Sequence, residues 1–316
     1  MGLFGGKRPQ DDERAPDKIG AEWQAADDAG DAARAGELAE EMTQRLPESF
    51  MGWFQAGLYS KARRDWVTSL ERNRRADQLY GERQVEEFEG VNPAAWNLAI
   101  AATALGDWAT ARYAWTRFGV SGLAEGEGPI DASFGTAPIR LNPDRPSLPH
   151  QVLPDFGVTE VVWCRRLSPA HAVIVSVPMP ESGHRFGDVL LHDGEPKGSR
   201  RLGGAEVSVF DEIERLESSG TSTWQVAVEN AGQADWDAVG EIAYRHEVGA
   251  DDWSSMRMLC SDCSHGPSDP AHHHPPAVSD TLRLGLAGSD HALAQFLEEW
   301  ASGRPHLTIG EAELLW

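Results

Sequence analysis

The chain has 316 residues, 41% of them hydrophobic, which is enough for more than one packed core. Its 50 acidic residues against 28 basic ones give a formal charge of −22, which repels a duplex or an anionic membrane at long range and speaks against bulk nucleic-acid or lipid binding. The three cysteines, Cys164, Cys260 and Cys263, do not make a disulfide framework, and no apolar run reaches the length of a bilayer span.

The opening residues lack the apolar stretch of a signal peptide, and Gly6 stands where myristoylation calls for Ser or Thr. Their glycine, proline and charge content reads as a flexible arm over residues 1–16. The expected compartment is the cytoplasm.

Residues 17–120 are patterned as paired helices. Asp31 and Asp65 are 34 residues apart, each inside a matching helical pattern. Residues 92–118 carry the clearest unit: Leu98, Ala99 and Ala102 on one face, a turn at Gly106-Asp107-Trp108, then Ala111, Trp115 and Phe118 at helical spacing. Residues 50–76 repeat it with Trp53, Ala56-Gly57, Asp65-Trp66 and Ala76, and residues 17–47 give a weaker copy with Gly30-Asp31, Ala35, Ala39 and Pro47. Small residues let helices approach while the large ones fill between them. The second and third turns are 42 apart, so about eight residues are inserted around Tyr80–Gly90, and Arg64 replaces the turn glycine of the second unit.

This front third resembles the tetratricopeptide repeat family, whose unit is a helix-turn-helix of that period. The resemblance implies a curved array whose first helices line a groove for a partner. By position that groove holds Phe54, Leu58, Lys61, Trp96, Ile100 and Thr103, an apolar surface a protein or peptide would cover. The basic cluster Lys61, Arg63, Arg64, Arg72, Arg74 and Arg75 could receive an acidic peptide. The simpler account is cations at a helix C-terminus and a Glu71–Arg75 pair at i,i+4.

Residues 121–157, rich in Gly, Pro, Ser and Asp, read as a linker. Short strands follow at Val161–Arg166, Val173–Val177, Val189–Leu191 and Val207–Val209, which suggests a small β-rich domain over 158–216, a curled sheet or barrel. It holds His184, Asp188, His192 and Asp193, side chains of the kind that ligate a catalytic metal, although His192-Asp193-Gly194 also reads as a turn.

Residues 217–316 read as a strand at Trp224–Val228, a helix capped by Asp235 and stopped near Gly249, strands at Met256–Cys260 and Leu282–Leu286, a helix capped at Ser289 or Asp290, and a last strand from Leu307. The order β-α-β-β-α-β suggests a ferredoxin-like sandwich. A loop from Ser261 to Asp280 carries Cys260-x-x-Cys263, His265 and His273, a set able to hold a structural zinc, with Cys164 or His184 as substitute ligands.

The expected class is therefore α+β: a helical-repeat array, a β-rich middle and a ferredoxin-like end. The expected function is that of an adaptor or regulatory protein that binds another protein through its groove. Its back half would be a second recognition module, with zinc as the one candidate cofactor and oligomeric state left open. The alternatives are a metal-dependent hydrolase built on His184, Asp188 and His192, and an acidic neutraliser of a basic toxin or effector.

Overall fold

The computed structural model describes residues 16–144, 159–202, 205–256 and 281–316. Most of the expected arm, and Cys260, Cys263, His265 and His273, lie outside the described residues. The chain is mixed α+β and divides into two compact units after Pro129.

The first unit contains α1 (Pro16–Asp28), α2 (Ala32–Arg45), α3 (Phe50–Ala62), α4 (Trp66–Gln78), α5 (Glu82–Glu87), α6 (Pro93–Ala104) and α7 (Trp108–Phe118). Three of its turns are built alike. Gly30, Arg64 and Gly106 take left-handed φ values of 70°, 58° and 67°. The aspartate that follows each one closes the preceding helix and opens the next. The N–H groups of Asp31, Asp65 and Asp107 donate to the carbonyls of Ala26, Ser60 and Ala102 at 2.9, 3.0 and 2.9 Å. Their carboxylates accept the N–H groups of Arg34, Thr68 and Thr110 at 3.0, 3.2 and 3.1 Å, the N-cap bond that a helix start requires. The recurrence of aspartate in the sequence is thus the recurrence of one turn.

Helices of this length are marginal alone, so packing must hold them. At Gly57 an added Cβ would lie 2.5 Å from the Asn73 amide nitrogen, so α3 approaches α4 as closely as a bare backbone allows. The basic cluster joins successive pairs. Arg72 bonds Glu40 at 3.1 Å, Arg75 bonds Glu48 at 2.7 Å, and Arg74 reaches Thr110 at 3.2 Å. Arg75 therefore turns across to the preceding pair instead of to Glu71 on its own helix. Buried Asp77 accepts from Asn92 (2.6 Å), Tyr113 (2.8 Å) and Arg117 (3.2 Å), which fastens α4 to α7 and to the start of α6. The inserted residues form α5 and bring Phe88 to 5.6 Å from the Phe50 ring. Arg112 donates to the carbonyls of Ala124 and Gly128, both at 2.8 Å, which fixes the start of the expected linker against α7.

The second unit opens with β1 (Thr136–Arg140), inside the segment read as a linker. With β2 (Val161–Arg166), β3 (His171–Ile174), β4 (Val189–His192) and β7 (Phe210–Glu217) it closes a barrel in the order β1-β2-β3-β4-β7. Neighbours are antiparallel except β1 and β7, which run parallel. The pair β5 (Ser199–Leu202) and β6 (Ala205–Ser208) forms a separate ribbon. Inward residues Ile139, Val162, Cys164, Ala172, Ile174, Leu190 and Phe210 make the barrel core, as the alternation of a strand requires.

The remainder holds β8 (Thr223–Glu229), α8 (Gln233–Arg245), β9 (Gly249–Asp252), β10 (Thr281–Ala287), α9 (Asp290–Ala301), β11 (Thr308–Ile309) and β12 (Glu313–Leu314). The sheet order is β11-β8-β10-β9, with β12 also on β8. Val226, Val228, Leu284 and Leu286 bury against Val239, Ile242, Leu293, Phe296 and Trp300 of the helices. One expectation shifts. Asp235 is not the cap of α8; Gly232 is, and Asp235 reaches back to its N–H at 2.9 Å. The strand expected at Met256–Cys260 lies, but for Met256, outside the described residues, and β9 at Gly249–Asp252 precedes it. Trp253 follows β9 and lies on Gly285, where an added Cβ would be 2.1 Å from its ring. That ring joins Val177, Met179 and Ala287 in the seam between barrel and sheet.

The turn geometry makes a stability prediction. Asp107→Ala lowers the unfolding free energy by about 1 kcal/mol through the lost cap. Arg64→Gly raises it by up to about 1 kcal/mol, because a side chain at left-handed φ is relieved. Urea unfolding of the full chain checks both signs.

Candidate functional site

The six groove residues divide. On α3, Leu58 is exposed at 37%, and Phe54 and Lys61 are half-buried. On α6, Trp96 is half-buried, but Ile100 and Thr103 are only 0% and 1% exposed. The last two line no open surface. The Thr103 hydroxyl donates to the Ala99 carbonyl at 2.7 Å, and Ile100 sits in a helix buried along most of its length. Phe54 stacks on Phe50 at 5.5 Å and meets Phe88 of the insertion at 6.4 Å. Trp96 meets Trp115 at 5.0 Å and Phe118 at 4.7 Å. Lys61 donates to Asn97 at 2.9 Å. What remains accessible is a narrower strip of Leu58 with the outer parts of Phe54, Lys61 and Trp96.

The hydrolase constellation does not assemble. His184 places Nε2 2.7 Å from Glu212 Oε1 and Nδ1 3.0 Å from the Ser182 carbonyl. Asp188 is wholly buried and serves as an anchor. It accepts from the N–H groups of Arg185 (3.0 Å) and Ser219 (2.8 Å) and from the Arg215 guanidinium at 3.1 Å. His192 packs on Phe210 with ring centroids 5.2 Å apart. Among the described residues no group of three His, Cys, Asp or Glu side chains could hold a metal ion.

Each histidine has its own electrostatics. Burial holds His192 at about 4, so it is neutral near pH 7. Its Nδ1 lies 3.2 Å from the Asp193 carbonyl, while Nε2 is buried without a hydrogen-bond partner among the described residues. Burial likewise lowers His171 to about 4, with Nδ1 2.6 Å from Ser168 Oγ. His184 goes the other way. Burial would lower it, but the hydrogen bond and charge of Glu212 and the Ser182 carbonyl together raise it. Glu212 also accepts the Asn142 N–H at 3.0 Å, so the pair ties β7 to the residue pair after β1 and to the turn before β4.

The substitute zinc ligands are committed elsewhere. Cys164 faces the barrel core, with its thiol pushed up by burial and by Glu212, and both ring nitrogens of His184 are engaged. Sequence reasoning missed Glu212, Arg140 and Asp211. Arg140 is fully buried and paired with Asp211; a charged residue buried in a strand gives no hydrophobic signal. Among the described residues no helix is long and apolar enough to cross a membrane. No family model and no curated protein matches the chain.

The His184–Glu212 pair carries a pH signature. A raised imidazole contributes stability that is fully present below its unfolded value of about 6.5 and is lost as pH rises through the folded value. The stability difference between the native chain and His184→Gln is therefore largest at pH 6 and shrinks by pH 9, as read by urea unfolding at both.

Proposed function

We propose that the chain is an interaction protein whose helical array belongs to the tetratricopeptide type and docks a protein segment along the strip at Leu58. The observation that carries this reading is the threefold recurrence of one Asp-capped turn, since hairpins joined alike stack alike and present their first helices along one side. The accessible strip suits a segment with an apolar side chain for Leu58 and Trp96 and an acceptor near Lys61. An acidic adaptor and an acidic neutraliser of a basic protein share this chemistry, and the net charge of −22 favours basic partners away from the strip.

Under the same proposal residues 217–316 are a ferredoxin-like recognition module. The strand order β11-β8-β10-β9 and two helices packed on one core support this. The fold hosts many functions and names none. Cytoplasmic residence remains part of the proposal on the low cysteine count, and the absence of nucleic-acid or membrane partners on the net charge.

Affinity capture from a lysate with the full chain tests the docking strip. Leu58→Asp and Lys61→Glu are expected to lose most of a protein that the native chain retains, with the fold unchanged by circular dichroism. Equal retention by both variants would remove the strip as the docking surface. The zinc reading rests on the spacing of Cys260, Cys263, His265 and His273. Metal analysis of the purified chain is expected to give about one zinc per chain, lost on Cys260→Ser.

A further inference from the structure

The backbone leaving β3 runs through Val177, Pro178 and Met179 and is tied on both sides. The Val177 N–H donates to the Asp251 carboxyl on β9, and the Val177 carbonyl accepts from Trp253 Nε1 at 3.0 Å. The Met179 N–H donates to Glu160 Oε1 at 2.9 Å, from the residue that leads into β2. Pro178 has no N–H to give. The side chains of Val177 and Met179 are buried against Trp253 and Ala287. Every amide donor of this segment thus ends on a carboxyl group, and the segment joins barrel to sheet.

The surroundings of those carboxyls are one-sided. The charges acting on Glu160 are Asp251 on β9 and Glu181 in the turn at Pro180–Ser182, and the charge acting on Asp251 is its neighbour Asp252. All are acids. Ser182 supplies a further hydrogen bond to Glu160. Charges held away from water are ordinarily paired with opposite ones, and among the described residues these two half-buried groups are met by dipoles and like charges.

We propose that Glu160 and Asp251 form a proton-dependent clasp, which holds the Val177–Met179 segment against the sheet when the two carboxyls carry protons and loosens it as they ionise. A protonated carboxyl still accepts an N–H through its carbonyl oxygen, so the observed bonds survive protonation, whereas two ionised groups repel across the seam. The electrostatics agree with the geometry. Burial, with the neighbouring acids, pushes Glu160 up to about 8 and Asp251 up to about 6, against the pull of the Met179 and Val177 N–H bonds. Unfolded carboxyls titrate near 4. Between those values the closed seam binds more protons than the open chain, so its stability falls as pH rises from about 4 to about 8 and levels off above.

Hydrogen exchange on the full chain, read by mass spectrometry at pH 5.5, 7 and 8.5 and corrected for base-catalysed exchange, tests the clasp. Protection in peptides spanning residues 175–183 is expected to drop by at least about tenfold across this range, while peptides from α9 stay constant. Glu160→Gln should flatten the drop between pH 7 and 8.5, and Asp251→Asn should flatten the part below pH 7. Protection in the native chain that does not change with pH, a drop shared equally by α9, or a drop that persists in both variants would overturn the proposal.

Discussion

The first unit depends on a single turn used three times. A left-handed residue reverses the chain, and the aspartate after it supplies both the last bond of one helix and the first bond of the next. Because each helix is too short to persist alone, the turn fixes the angle at which two of them meet. That angle brings Gly57 onto Asn73 and leaves the arginines of α4 facing acids of the neighbouring pairs. Surface pairs of this kind contribute little singly. Their value here is register: Arg72 and Arg75 reach backward to the first pair, and Arg74 and Asp77 reach forward to the third.

The second unit depends on a different economy of space. A barrel of five strands is closed only if β1 bridges β2 and β7, and charged groups are buried around its apolar core. Arg140 pairs with Asp211, and His184 is held by Glu212 and by the Ser182 carbonyl. What the sequence presents as a possible metal cluster is in the fold a set of separate ties, each fastening one strand to a loop. The missing Cβ of Gly285 then admits the Trp253 ring, and through it the sheet takes hold of the barrel exit.

The helical pairs were legible because their signal is local: turn residue, cap and small-residue face lie within one window. The strip they present was less so. Ile100 and Thr103 sit at groove positions by spacing, yet α6 is apolar nearly all round, and such a helix is buried on every side. Its run of alanines from Ala94 to Ala104 carried that warning. β1 was hidden by Pro138 and by the buried charge of Arg140, and β9 by Asp251 and Asp252, which read as a loop. Phe88 could be seen only as part of an insertion, because its contacts with Phe50 and Phe54 span more than thirty residues.

The claim that everything in the front unit rests on is that three aspartates close three equivalent turns. Residue-resolved hydrogen exchange of the Arg34, Thr68 and Thr110 amides, the donors to those caps, measures it most directly. All three should be protected well beyond the rate of an unstructured peptide, with Thr68 and Thr110 opening together with the helices around them. Exchange of these amides at the unstructured rate, in a chain whose helices are otherwise intact, would contradict the account.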